Sequence, residues 1–242
     1  MRSATEALSG WLKGTREQML GDWPLWLAVT LLYLTICVVV ARVPFVGPVL
    51  IALYTPLVIM GILGSSARAA QPLGGRLAAI LWGPLRAGWR AWPALLAAAY
   101  VLGAWMLTTV LAMLFGIDAL SFHTLFAYQS DLGSLLVGTE LLMFWILRSA
   151  VAVTAILFLA GSVVDGLPAQ AALEHALGLW TRAPRPMLAL ALGVWPALVA
   201  SYLPLSVLIV VTGVTLVPLV LLIGHGYRGL GAPLAETSAR PA

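Results

Sequence analysis

The sequence predicts an all-α, polytopic membrane protein, with six transmembrane helices built as three parallel repeats of a cytoplasmic amphipathic helix plus a helical hairpin. Three observations carry this expectation. First, 62% of the 242 residues are hydrophobic and only 9% are charged, against about one quarter charged in a soluble domain. That leaves too few charges to clothe a water-facing surface, and a mean hydropathy of +1.01 excludes disorder. Second, the apolar residues come in long runs rather than in alternation, which argues against a β-barrel. Third, the basic residues fall almost entirely on one side of those runs.

The first element is a surface helix over about 4–20. Ser3 and Glu6 have capping-box spacing. Leu8, Trp11, Leu12, Thr15 and Met19 share one face, with Glu6, Lys13, Arg16 and Glu17 opposite. Asp22-Trp23-Pro24 then starts a span over 24–41, with Asp22 as N-cap. Its eighteen uncharged residues cover about 27 Å, enough to cross. Arg42 to Pro48 is a turn. The second span, 47–64, carries Pro56 mid-way, tolerated where neighbours re-satisfy the freed carbonyl.

A second surface helix is expected over 76–90, kinked at Gly83-Pro84. Leu77, Ile80, Leu81 and Leu85 form its apolar face, and Arg76, Arg86 and Arg90 its polar one. Spans 93–115 and 132–160 follow. A third surface helix over 168–182 aligns Ala169, Leu173, Ala176, Leu177 and Trp180 against Gln170, Glu174, Thr181 and Arg182. The last spans are 186–203 and 205–224, with alternative breaks at Pro196, Pro204, Gly213 and Pro218. Residues 1–228 form a single membrane domain, and 229–242 a flexible cytoplasmic tail. Each surface stretch precedes a proline that opens a span: Pro24, Pro93 and Pro186. The closest internal echo is Pro56-Leu57-Val58 with Gly61 against Pro218-Leu219-Val220 with Gly224.

Orientation follows from Lys and Arg. Eleven of the 13 lie in segments 1–23, 65–92, 161–185 and the tail. The opposite side has Arg42 alone, and Arg148 lies within a span. The positive-inside rule makes the basic side, and both termini, cytoplasmic. Trp11, Trp23, Trp26, Trp82, Trp89, Trp92 and Trp180 fall on the same side, as an interfacial belt does. A first apolar run that starts near Trp23 without a small-residue cleavage site is no ordinary signal peptide.

The stretch Arg42-Val43-Pro44-Phe45-Val46-Gly47-Pro48, then Thr55-Pro56 to Gly61, is similar to a family of uncharacterised bacterial inner-membrane proteins. That family is related to the membrane domain fused to some glycerophosphodiester phosphodiesterases. Asp165-Gly166-Leu167-Pro168 to Ala172-Leu173 and the run from Pro218 to Tyr227-Arg228 also match its pattern. Ala183-Pro184-Arg185-Pro186 stands where the family pattern has Asn-Trp. The resemblance implies topology and a bacterial inner-membrane location, and no catalytic residues.

A net charge of +4 placed beside apolar runs points to anionic lipid headgroups rather than nucleic acid. The headgroup candidates are Lys13, Arg16, Arg76, Arg86, Arg90, Arg182 and Arg185. Cys37 is the one cysteine, so neither an intramolecular disulfide nor a cysteine-built metal cluster can form. Glu140 and Arg148 are the two charges placed inside a span, about 12 Å apart along a helix. Ionisable groups at depth mark candidate functional sites. The bland alternative has Glu140 protonated in an interhelical bond and Arg148 snorkelling to the cytoplasmic headgroups. His123, Asp118 and Asp131 share a loop without metal-ligand spacing. No phosphate loop, dinucleotide motif, serine elbow or zinc-protease helix occurs. The expectation is a non-enzymatic protein without cofactors. It would be a scaffold, an accessory subunit or a lipid-interacting protein, with anionic lipids or a membrane protein as partner. The alternative is a small transporter or channel with Glu140 in its pathway.

Overall fold

The computed structural model describes residues 4–43, 46–65, 70–86, 88, 92–114, 139–199 and 205–238. Among them are ten α-helices and no strand: α1 (Ala4–Gly21), α2 (Trp23–Ala41), α3 (Val46–Leu63), α4 (Leu73–Leu81), α5 (Gly83–Arg86), α6 (Trp92–Leu114), α7 (Thr139–Val164), α8 (Ala169–Arg182), α9 (Pro184–Val199) and α10 (Leu205–Ser238). The protein is therefore all-α. Two segments, Trp23–Ala41 and Ile146–Val164, are long and apolar enough to cross a membrane.

Asp22 stands at the head of α2 but makes no side-chain cap bond, while other local signals act as their chemistry dictates. Pro24 lies in the first turn of α2, where its missing N–H has no bond to lose. The chain breaks at Trp82 between α4 and α5, ahead of Pro84. Gly166 adopts φ +64 after α7, and the Leu167 amide donates to the Gly161 carbonyl at 3.1 Å. The left-handed glycine turns the chain back so that this amide meets a carbonyl in the last turns of the helix. Pro56 does not break α3. The Thr55 hydroxyl donates to the Ile51 carbonyl at 2.7 Å, and neighbouring helices hold the turn in place.

Two expected boundaries shift. Helix α7 runs to Val164, four residues past the expected end at Ala160. Helix α10 passes through Gly213, Pro218 and Gly224 and stays helical to Ser238, where a tail from 229 was expected. Single glycines and prolines cost a helix little when its sides are packed, and α1 packs against this extension.

The helices form two concentric layers. Helices α3, α7 and α10 touch one another and make an inner triangle. The outer helices lodge in its grooves: α2 between α3 and α10, α6 between α3 and α7, α9 between α7 and α10. Each hairpin thus gives one outer and one inner helix, a threefold arrangement closed from last to first. The amphipathic helices follow the same rule. Helix α4 packs on α3, α8 on α7, and α1 on α10.

Small residues set these approaches. A Cβ on Gly61 would stand 2.1 Å from the Ile80 carbonyl oxygen of α4, and one on Gly161 would stand 3.4 Å from the Ala172 Cβ of α8. Gly226 and Gly229 accept the Trp11 ring of α1. So an amphipathic helix packs on the hairpin before it in sequence, and α1 completes the circle by packing on the last. The sequence reading joined each such helix to the hairpin after it.

The buried stripes differ in detail from the expected faces. In α8 the core side is Ala172, Ala176 and Leu179, while Leu173 and Leu177 point outward. The alanines win because they let α8 approach α7 at Gly161. In α1 Trp11 and Thr15 are buried and Leu12 is 57% exposed. In α4 and α5, Ile80 and Leu81 are buried and Leu85 is exposed.

Candidate functional site

Side-chain bonds bring one end of the bundle together, and most of the described charges gather there. Asp22, at the head of α2, receives both guanidinium N–H groups of Arg76 from α4, each at 2.8 Å. The hydrogen bonds from Arg76 hold the Asp22 carboxyl below its ordinary range and hold the guanidinium above its own. Arg76 is 12% exposed and Asp22 38%. This corrects one expected headgroup ligand. Arg76 is engaged inside the protein, where both terminal N–H groups of its guanidinium meet one carboxylate.

Next to this pair, α1 and α10 interlock. His225 Nε2 bonds Gln18 Oε1 at 3.1 Å, and its ring lies on Gly14. Because the amide oxygen accepts, the imidazole proton resides on Nε2. Reciprocally, Trp11 of α1 fills the step made by Gly226 and Gly229. Burial, then the Arg228 charge, holds His225 below its ordinary value. Tyr227 donates a short hydrogen bond to Asp165 in the α7–α8 turn, and its ring meets His175 of α8 edge-on at 5.4 Å. Burial and the Asp165 carboxylate push the Tyr227 hydroxyl well above its ordinary value. These contacts tie α4 to outer helix α2, α1 to inner helix α10, and α10 to α8 and the α7–α8 turn.

The remaining headgroup candidates divide. Lys13, Arg16, Arg86, Arg182 and Arg185 are exposed at this end. Lys13 has Glu17 as a distant ion-pair partner at 3.9 Å. Arg90 lies outside the described residues, as do Asp118, His123 and Asp131. No group of histidine, cysteine or acidic side chains among the described residues could hold a metal.

The chain matches no protein-family model, no curated protein and no solved structure.

The two charges placed in a span fall at different heights. A cavity of about 290 Å³ lies among the helices, and Thr55, Ala98, Ala155, Val194 and Thr215 are among the residues that line it. Arg148 lies seven residues beyond Ala155, about 10 Å toward the far end. It is 6% exposed. Snorkelling to the charged end is therefore corrected: Arg148 sits in the opposite half and is enclosed by protein. Glu140 lies about 22 Å beyond Ala155 on the same helix.

This cavity is lined by α3, α6, α7, α9 and α10, and among the described residues its polar lining is Thr55 and Thr215. The Thr55 hydroxyl is engaged with Ile51, so it accepts its second bond, at 2.9 Å, from Tyr33. The Thr215 hydroxyl donates to the Val211 carbonyl at 2.7 Å. A second space of about 470 Å³ opens between α6, α7 and α8. Sequence reasoning found neither, because a gap between helices depends on which of two adjacent stripes packs inward.

Proposed function

We propose that this protein is a non-enzymatic, six-span integral membrane protein of the bacterial inner membrane, with both termini cytoplasmic, acting as a lipid-interacting scaffold or accessory subunit. The observation that carries the reading is helix α2. Its mean hydropathy is 2.3 over 19 residues, yet only 28% of it is buried. Leu27, Leu31, Val38 and Val39 face outward along its length. A stripe of that extent in water would be an aggregation site, and hydrocarbon is the solvent that suits it.

The same logic extends the reading to α3, α6 and α9, where Val49, Leu102, Met106 and Leu192 are exposed with no charge among them. The described charges at one end and Arg42 at the other support the basic end as cytoplasmic. Outward Leu12, Leu85 and Leu177 beside Lys13, Arg16, Arg86 and Arg182 suit a headgroup boundary. The resemblance to uncharacterised inner-membrane proteins belongs to this reading.

A transport pathway draws less support, since among the described residues the walls of the 290 Å³ cavity carry no charge and the Thr55 and Thr215 hydroxyls are engaged. Neither large cavity is lined by Arg148. The test is fractionation: the protein should stay with the membrane pellet through an alkaline carbonate wash and require detergent for release. Release by carbonate would refute an integral membrane protein.

A further inference from the structure

We infer that the groove between α6, α7 and α8 binds one acyl chain of an amine-bearing phospholipid from the leaflet at the charged end. The inference rests on the membrane reading above and goes beyond it by naming a site and a ligand class.

The groove is a defect in the threefold arrangement. In the first repeat α4 closes against outer helix α2 as well as inner helix α3, and Asp22 and Arg76 pin that closure. At the junction of last and first repeats, α1 touches outer helix α9 as well as α10. In the middle repeat α8 packs on inner helix α7, and between it and outer helix α6 lies a space of about 470 Å³. Leu96, Ala97, Phe158 and Leu173 wall it.

Its chemistry excludes a polar solute. Thr154 Oγ1 donates to the Ala150 carbonyl at 2.8 Å and accepts from Trp180 Nε1 at 2.9 Å. Tyr100 lines the groove beside the same threonine. Gln170 Nε2 donates to Glu174 at 2.9 Å. The wall therefore offers its occupant hydrocarbon and little else.

Its length selects among apolar occupants. Along α6 it runs from Trp92 to Tyr100, about 12 Å of helix rise. That approaches the roughly 15 Å depth of one leaflet's hydrocarbon. Trp92, Tyr100 and Leu173 of its wall are themselves exposed, so the groove opens to the surroundings of α6. An acyl chain lying along α6 would thus pass from the bilayer into the groove without crossing a polar barrier.

Charge selects the headgroup. The mouth carries Gln170 and, bonded to it, the exposed carboxylate of Glu174. A cationic amine complements that carboxylate, and a purely anionic headgroup is repelled by it.

The test uses the full-length protein in vesicles of phosphatidylethanolamine and phosphatidylglycerol. Either lipid is spiked with an analogue carrying a photoreactive diazirine in its acyl chain, and labelled peptides are mapped by mass spectrometry. The ethanolamine analogue should label 92–100 and 158–173 severalfold more than the glycerol analogue does. Both should label the outer face of α2 equally. Ala97→Phe, and independently the rim substitution Leu173→Trp, should remove groove labelling and leave α2 labelling unchanged. Should Ala97→Phe not fold, Leu173→Trp decides alone. Labelling of α2 without the groove overturns this inference and leaves the membrane reading standing. Absence of label from α2 overturns the membrane reading itself. Equal groove labelling by both analogues overturns the amine assignment.

Discussion

Removing Arg76 would leave the Asp22 carboxylate without its two-pronged partner at the head of α2. A charge-assisted pair of this kind is worth about 1–3 kcal/mol, and the partial exposure of Asp22 places the loss toward the lower end. Arg76→Ala should therefore lower thermal stability by about 1–2 kcal/mol in detergent. The pH dependence has a definite sign. The folded pKa of Asp22 lies below its unfolded value of about 3.9. The stability it contributes is complete above about pH 4 and is lost as pH falls through the folded value. A melting-temperature series from pH 5 to pH 3 should show this loss in the native protein and less of it in Arg76→Ala. His225 acts in a higher window. The unfolded chain takes up a proton near pH 6.5 that the buried ring resists, so stability should decline as pH drops below about 6.5. His225→Gln should flatten that decline between pH 7 and pH 5.5.

At the scale of elements, the contact of α3 with α4 is the tightest. Gly61→Ala would drive a methyl into the Ile80 backbone, which cannot rotate away as a side chain can. Overpacking of this kind costs about 1–3 kcal/mol, and the melting temperature of the purified variant measures it. Gly10→Ala is the control. It lies in α1 with nothing within 4 Å of the new methyl, and relief of backbone entropy should stabilise by about 0.5–1 kcal/mol. The elements themselves were legible in the sequence, because caps, prolines and apolar runs act locally. The break before Pro84 and the heads of α2 and α8 fall within a residue or two of their signals. Which face of each amphipathic helix turns inward was less legible. Leu173 and Leu177 outweigh Ala172 and Ala176 in hydrophobicity, yet the alanines are buried, since backbone approach to Gly161 decides the packing. Arg76 misled for a related reason: its carboxylate partner lies 54 residues away, beyond any periodic pattern.

For the whole molecule, the threefold plan was visible as three amphipathic stretches and three proline-led spans. Its closure was not, because the contact of α1 with α10 joins residues such as Gln18 and His225 that stand 207 apart in sequence. The closure gives each repeat the same neighbours, and it leaves the gap at α6 and α8 as the place where the plan is broken. The central claim is that this ring spans a bilayer six times with its charged end in the cytoplasm. Topology reporters fused after Gln71, Ala127 and Ala172 test it most directly. Gln71 and Ala172 lie on the basic side of the runs, Ala127 in the segment without Lys or Arg. The account predicts a cytoplasmic signal from Gln71 and Ala172 and an external one from Ala127. An external signal from Gln71 or Ala172, or a cytoplasmic one from Ala127, would contradict it.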